Sequence, residues 1–596
     1  MYARSIVQSG YSMLIENTKG TVENALGASL DEFTSHTPRM IMPSSPKSLN
    51  LEIKDLPDVP WGDPNSSDWG NVEDYLLPEH GSDLTAALQA AIDSGHKTVY
   101  IPAKVKGSPY VGLSGTVYVR NNCERIISLG SRFTDNAPGK IEVVDGTAGT
   151  VILERLRGAY TKIEYVMNTS RTVILSSMPT GFGHVPFVSN GTGDLHIVDV
   201  PGQFHFNNPD QKIWCRQINP EGDFPGLVNK GADLWILGTK TEGGQAKITT
   251  TDGGRTELLG GQVFANVPLS KVSGPNDPLV DNIFVVDNSS FSFAGIHRRL
   301  ANTDRSPYDH WVKEIRGTET RSMKTDRKSD EPIALFVANP GTSSAPPAAP
   351  ESLKSSVDKS TLTLTWVDNA SDELAYEIQR STNSSFSDNV EYFIADKNDT
   401  SFSIKGVDIP TTLYYYKIRA FNEGEYSGWS NTAISPTYTI SSSTGTNGSI
   451  WPEGDSTVIL GSSVNYTFNP DSGYQVEKVL VNNVAVDSIE SYNFANIAAN
   501  HTIGVTFSKT IISSTLAVDA QQIKIYPNPI HDNILQIDGL MAGALVSAYS
   551  VTGVKLFEKQ AASHFFQIST TGLPKGCIII AIKQENNIIY KKLINN

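Results

Sequence analysis

Apolar residues recur along the first half of this chain in short runs, bounded by Gly-, Asn- and Asp-rich turns. Val117-Tyr118-Val119, Ile126-Ile127-Ser128, Ile141–Val144, Val151–Glu154, Val173–Leu175, Leu195–Val198, Leu234–Leu237 and Ile283–Val286 each read as a strand. Their spacing, irregular at roughly 10 to 40 residues, suits stacked coils in which each strand pairs in parallel with its equivalent one turn away. A column of Ile, Val and Leu then forms the core, and turns of any length project outward. Only residues 83–93 show convincing helical periodicity: Asp83 suits the N-cap, and Leu84, Leu88, Ala91 and Ile92 share one apolar face. A helix there, followed by the strand Lys97–Pro102, would cap the open end of the column and shield its edges.

The pattern changes after a Pro-rich linker at 339–350, expected to be extended and semi-rigid. In residues 351–437 Leu362, Leu364 and Trp366 alternate on one strand, and Tyr376–Arg380 and Tyr414–Ala420 on two more, which predicts a sandwich of about seven strands. Residues 438–510 read as a second small β module, with His501 expected in a turn. Residues 523–596 read as a third, closing on a hairpin of Cys577–Ile582 with Ile588–Tyr590. The fold class is therefore mainly β: stacked parallel coils over 69–338, then three small β modules.

Composition narrows the function classes. The chain has 596 residues, too many for one ordinary domain, and its 48 Gly and 32 Pro fit a turn-rich β protein. A net charge of −15 argues against nucleic acid, whose phosphates select basic surfaces. Three distant cysteines, Cys123, Cys215 and Cys577, make no disulfide framework. No C-x-x-C or H-E-x-x-H spacing suggests a metal, and no cofactor is expected. No apolar run is long enough to span a bilayer, and Met1-Tyr2-Ala3-Arg4 is not followed by the core of a signal peptide.

Four resemblances add to this reading. Trp69–Tyr75, the helix D-L-T-A-A-L-Q-A-A-I-D-S-G and the strand T-V-Y-I-P resemble the opening of pectate-lyase-superfamily right-handed parallel β-helix proteins. Leu76–Gly81 departs from that family's glycine- and aspartate-rich link. The Ile525-Tyr526-Pro527-Asn528-Pro529 opening, the Y-S-V-T-G-V-K-L block, the L-P-K-G-C-I-I-I-A-I block and the terminal K-K-L-I resemble the C-terminal sorting domain of type IX secretion cargo in the Bacteroidetes. This second resemblance implies an extracellular or outer-membrane-surface address, the secretion machinery as a partner through 523–596, and removal of that domain. Export also needs a first signal, so the N-terminus is expected to be incomplete, with residues 1–68 the tail and connector of a further upstream β-helix. Residues 351–437 resemble a fibronectin type III domain, and 444–508 the small β-grasp-like repeats of bacterial surface proteins.

Sugar-active β-helices work with paired carboxylates, or with a base and a charge neutraliser. Glu242 and Glu257, about one coil apart and flanked by glycines, are the catalytic candidates. Arg255, His297, Arg298, Arg299, Tyr308, His310 and Arg316 are candidates for contact with an acidic sugar, and Glu314 lies among them. Trp214 and Trp235 could stack on sugar rings, although Trp235 sits in an apolar run. The implied protein is a polysaccharide hydrolase or lyase; the alternative is a non-catalytic glycan-binding or adhesin-type surface protein.

Overall fold

A computed structural model describes all residues except 21, 135–137, 159–162, 179–186, 265–266, 274–276, 300–304, 307, 326–332, 342–344, 359–360, 406–411, 511–522 and 586. It divides into one unit of residues 1–440, 455–465 and 493–501 and a second of 441–454, 466–492 and 502–596.

In the first unit the chain alternates between two long sheets. One has ten strands, from Thr116–Asn121 to Glu319–Lys324, and the other eleven, from Trp69–Asn71 to Phe336–Ala338. Strands adjacent in each sheet are successive passes of the chain and pair in parallel, except that the last strand of each closes antiparallel. A short third sheet joins Tyr110–Val111, Arg132–Phe133 and Arg157–Gly158. Stacked coils predicted from short apolar runs are thus present.

Register explains the core. Val99, Ile126, Leu153, Leu175, Ile197, Cys215, Ile236, Leu258, Phe293 and Phe336 follow one another across ten strands, and all are buried. In-register pairing converts one apolar residue per coil into a continuous column. The corner of the coil repeats as well. Arg155, Ser177, Asp199, Gln217, Gly238, Gly260 and Gly295 occupy equivalent positions, and each has positive φ, from 49° to 76°. A left-handed residue re-aims the strand at the same height in seven coils.

The helix Thr85–Asp93 buries Ala87, Leu88, Ala91 and Ile92 in the same core. It starts one residue later than the N-cap expectation allows, with Leu84 at the cap position. The Asp83 carboxylate still accepts the Thr85 N–H at 2.9 Å, which satisfies one otherwise unpaired donor of the first turn.

Residues 1–68 pack on the solenoid. Tyr2–Val7 pairs antiparallel with Ser29–Thr34. From Arg39, bridged to Phe336 at the last coil, the chain runs back along the outside of the eleven-stranded sheet to Trp61, stacked 6.1 Å from Trp69 at the first. On the way Leu49 and Leu51 pack on Trp214 and Trp235, and the Trp214 indole donates to Glu52 O at 2.8 Å. Arg125 donates to Val59 O at 2.6 Å and lies over the Trp61 ring at 3.8 Å. This strap buries an outward-facing row that a bare solenoid would expose.

The sandwich has a three-stranded sheet, Glu351–Asp358, Thr361–Val367 and Ser401–Lys405, over a four-stranded one led by Ala375–Ser381 and Tyr415–Phe421. Trp366 and Tyr376 meet in its core at 5.5 Å. This is a fibronectin type III-like arrangement. The linker is held rather than free, since Asn422 donates to Ala345 O at 2.8 Å and Asn369 to Ala349 O at 3.1 Å. The buried Glu377 of the sandwich grips Arg321 of the last solenoid hairpin at 2.8 Å and Arg419 at 3.0 Å.

In the second unit, Tyr474–Val481 pairs with Val484–Val486 and with His501–Lys509. His501 therefore opens a strand rather than sitting in a turn, and no helix lies among the described residues of this β module. Residues 524–596 form sheets of three and four antiparallel strands around Leu535, Ile537, Val546, Ile578, Ile580 and Leu593. The expected closing hairpin is Gly576–Gln584 with Asn587–Asn595.

Candidate functional site

Three long strands set the geometry. Asp233–Glu242, Arg255–Phe264 and Ser290–Arg299 each pass through the left-handed corner, so each has a first half on one face and a second half on another.

Register decides which candidates meet. Glu257 is opposite Trp235, and Glu242 is opposite Phe264. Seven residues of strand, bent at the corner, separate the two levels, a contour length of roughly 23 Å. The expected approach of Glu242 to Glu257 across stacked turns is therefore corrected: one residue lies before the corner, the other after it. Glu257 is fully buried under the strap. It takes Arg4 Nη1 at 2.8 Å and the Asn50 and Leu51 N–H groups at 3.2 and 2.9 Å. Burial pushes its carboxyl above the ordinary value, against the pull of Arg4 and the Leu51 N–H. Arg255 lies at the first end of its strand and pairs with Asp233 at 3.3 Å.

Other candidates also hold the fold together. The Tyr308 hydroxyl is buried and donates to Gly243 O and Gln245 O, both at 2.9 Å. Arg298 is buried, 6.0 Å from the Trp311 ring centroid. His310, in the other sheet, contacts the Asp281 carboxylate at 3.0 Å. Arg316 donates to Pro43 O and to Ser44 Oγ, anchoring the start of the strap, and pairs with the buried Glu314. Burial raises the Glu314 carboxyl to about 7, with Arg316 opposing. Trp214 and Trp235 are buried beneath Leu49 and Leu51 and offer no face to a ligand.

Glu242 and His297 share the open flank. Lys240, Gln262 and His297 are in register on successive coils, two residues along the strands from Glu242, Phe264 and Arg299. The side chain of Arg299 lies outside the described residues. Lys240 and His297 are exposed. The Lys240 ammonium contacts Glu242 at 2.6 Å and also Glu221 from the preceding coil. Burial alone would lower its pKa, but the bonds to Glu221 and Glu242 raise it. Asp223 binds Lys271 at 2.8 Å and the Gly244 N–H at 3.0 Å beside them. Burial pushes the neighbouring Lys247 ammonium down to about 8, and it donates to Gly222 O at 2.6 Å. Glu221, Asp223 and Lys271 were not singled out from sequence, because only the coil register brings them to Lys240 and Glu242. Among the described residues no group of three or more His, Cys, Asp or Glu could hold a metal. No helix among them is long and apolar enough to cross a membrane.

The C-terminal module is where comparison decides. A family model described as "Secretion system C-terminal sorting domain" matches residues 524–596. This chain carries a type IX secretion sorting domain. The protein is accordingly extracellular or at the cell surface, and the secretion machinery is a partner of this module. No curated protein matches the chain. Among solved structures it is similar to an Fn3-like protein from Clostridium thermocellum, at 29% identity over 15% of this chain and 92% of that one, with TM-score 0.14. It is similar also to the central fibronectin-III array of RIM-binding protein, at 16% identity over 42% of this chain and 98% of that one, with TM-score 0.12. A two-domain fibronectin type III segment of chicken tenascin shows 14% identity over 41% and 99%, with TM-score 0.13. The fibronectin-like character of the sandwich rests on its strand order, not on these scores.

Proposed function

We propose that this is a secreted surface protein that binds a polysaccharide along the open flank of a right-handed parallel β-helix. Carrying that reading is the register of Lys240, Gln262 and His297, which presents one polar side chain per coil beside Glu242. Coils ~4.8 Å apart offer a repeating ligand one contact per step, as a chain of sugars requires. The boundaries 69–338, 351–437, 438–510 and 523–596 belong to this reading as solenoid, two accessory β modules and a sorting domain removed on export.

Binding is favoured over cleavage because the flank's carboxylates are committed to cations, Glu221 and Glu242 to Lys240 and Asp223 to Lys271. One observation supports a hydrolase as the second reading. Glu221 and Glu242 converge on the one Lys240 ammonium, and glycoside hydrolases work with a pair of neighbouring carboxyl groups. Affinity electrophoresis against pectins, β-glucans and alginate, with parallel assays for reducing ends and unsaturated uronates, separates the two. Retardation by one polysaccharide without new ends is expected, and Lys240→Ala with His297→Ala should abolish it. New ends that disappear in Glu242→Gln would establish the hydrolase instead; no retardation and no product would sink both.

A further inference from the structure

The first unit contains a cavity of about 310 Å³ where the start of the strap, the last solenoid hairpin and the sandwich meet. That is at the small end of ligand-pocket volumes, about 300–1,000 Å³. Its walls are apolar: Met40 and Ile41 from the strap, Met323 from the hairpin, and Leu374, Ile394 and Phe402 from the sandwich. One wall is fixed by charge, because Arg321 is spent on the buried Glu377 and lies 4.0 Å over the Tyr392 ring.

Charge around this cavity is split by origin. Arg39 and Lys324 come from the strap and hairpin, Asp396 and Asp399 from the sandwich. Arg39, Lys324 and Asp396 are exposed and have no ion-pair partner among the described residues. Asp399 is half-buried and accepts the Asp396 N–H at 2.9 Å. An apolar chamber lined also by cations from the strap and hairpin and by carboxylates from the sandwich complements a ligand with an apolar body and charges of both signs. A purely anionic amphiphile would meet the carboxylates unpaired, and a purely cationic one the cations.

We infer that this cavity is a binding site for a zwitterionic α-amino acid with a large apolar side chain. Its carboxylate is met by Arg39 and Lys324, and its ammonium by Asp396 and Asp399. The site is separate from the open flank and stands whether or not that flank binds glycan. Phenylalanine, 3-phenylpropionate and phenethylamine are the three probes, titrated into the full chain by calorimetry. Phenylalanine should bind saturably, and loss of either its ammonium or its carboxylate should weaken binding at least tenfold. Arg39→Gln with Lys324→Gln, both exposed, should erase the preference for phenylalanine over phenethylamine while the melting temperature stays unchanged. Met323→Trp should fill the chamber and remove binding of all three. Equal binding of the three probes, or no saturable phenylalanine binding to the folded chain, overturns the assignment.

Discussion

The two halves of the strands Asp233–Glu242, Arg255–Phe264 and Ser290–Arg299 carry the same kinds of residue and use them oppositely. Before the corner, Trp235, Glu257 and Ser292 face outward from the sheet and are buried by the strap. After it, Lys240 and His297 are exposed and Gln262 is half-buried between them. Before the corner, the carboxylate and the hydroxyl are matched to backbone: Glu257 to the N–H groups of Asn50 and Leu51, and Ser292 to that of Leu49. Such matching is what a buried polar group needs and what a ligand-binding group cannot have already used. A charged residue on a solenoid is therefore read by what lies over its half of the coil, not by its type.

The largest break in that contrast is expected at Glu257. Glu257→Ala leaves Arg4 without its buried partner and should destabilise the protein by about 3–5 kcal/mol, measured by denaturant unfolding. The same change should free the strap for proteolysis between residues 48 and 61. Leu51→Ala, which empties the contact on Trp214 and Trp235, should cost about 2–5 kcal/mol and shift tryptophan fluorescence before global unfolding. A Leu51→Ala protein with unchanged stability would show that the strap is not part of the core.

A pH test distinguishes the halves next. His196 stacks on Trp214 at 5.0 Å in the covered row, and burial lowers its pKa to about 4, with Asp194 opposing and Lys54 and Arg216 assisting. A lowered folded-state value means that neutral His196 is the form the fold prefers. Its contribution is complete above the unfolded value near 6.5 and is lost as pH falls toward 4, by up to about 3 kcal/mol. His196→Phe should flatten that part of the stability curve. A smaller effect is expected at the corner itself. Gly295, with φ of +65°, replaced by Ala should cost about 1–2 kcal/mol. His297→Ala, at an exposed side chain, should change stability by no more than about 0.5 kcal/mol while weakening polysaccharide retardation, whereas Lys240→Ala also strips the buried Glu221 of its ammonium and should lower stability.

Apolar periodicity alone determined much of this protein. Short strands at irregular spacing identified the stacked coils, alternation around Trp366 and Tyr376 identified the sandwich, and ordered blocks from Ile525 to Ile594 identified the sorting domain. These features are legible because period, turn chemistry and motif order are local properties of a sequence. Tertiary structure alone decided three further things. Residues 39–61 became a strap because their partners, from Phe336 back to Arg125, are spread over the whole solenoid. Glu242 was parted from Glu257 and joined to Glu221 because turns of unequal length between strands hide the register that fixes neighbours across coils. Trp214 and Trp235 became core from outside the sheet because what covers them lies some 160 residues or more away in the chain. Local physics fixes which elements form; which polar side chains remain free depends on contacts that no local pattern records.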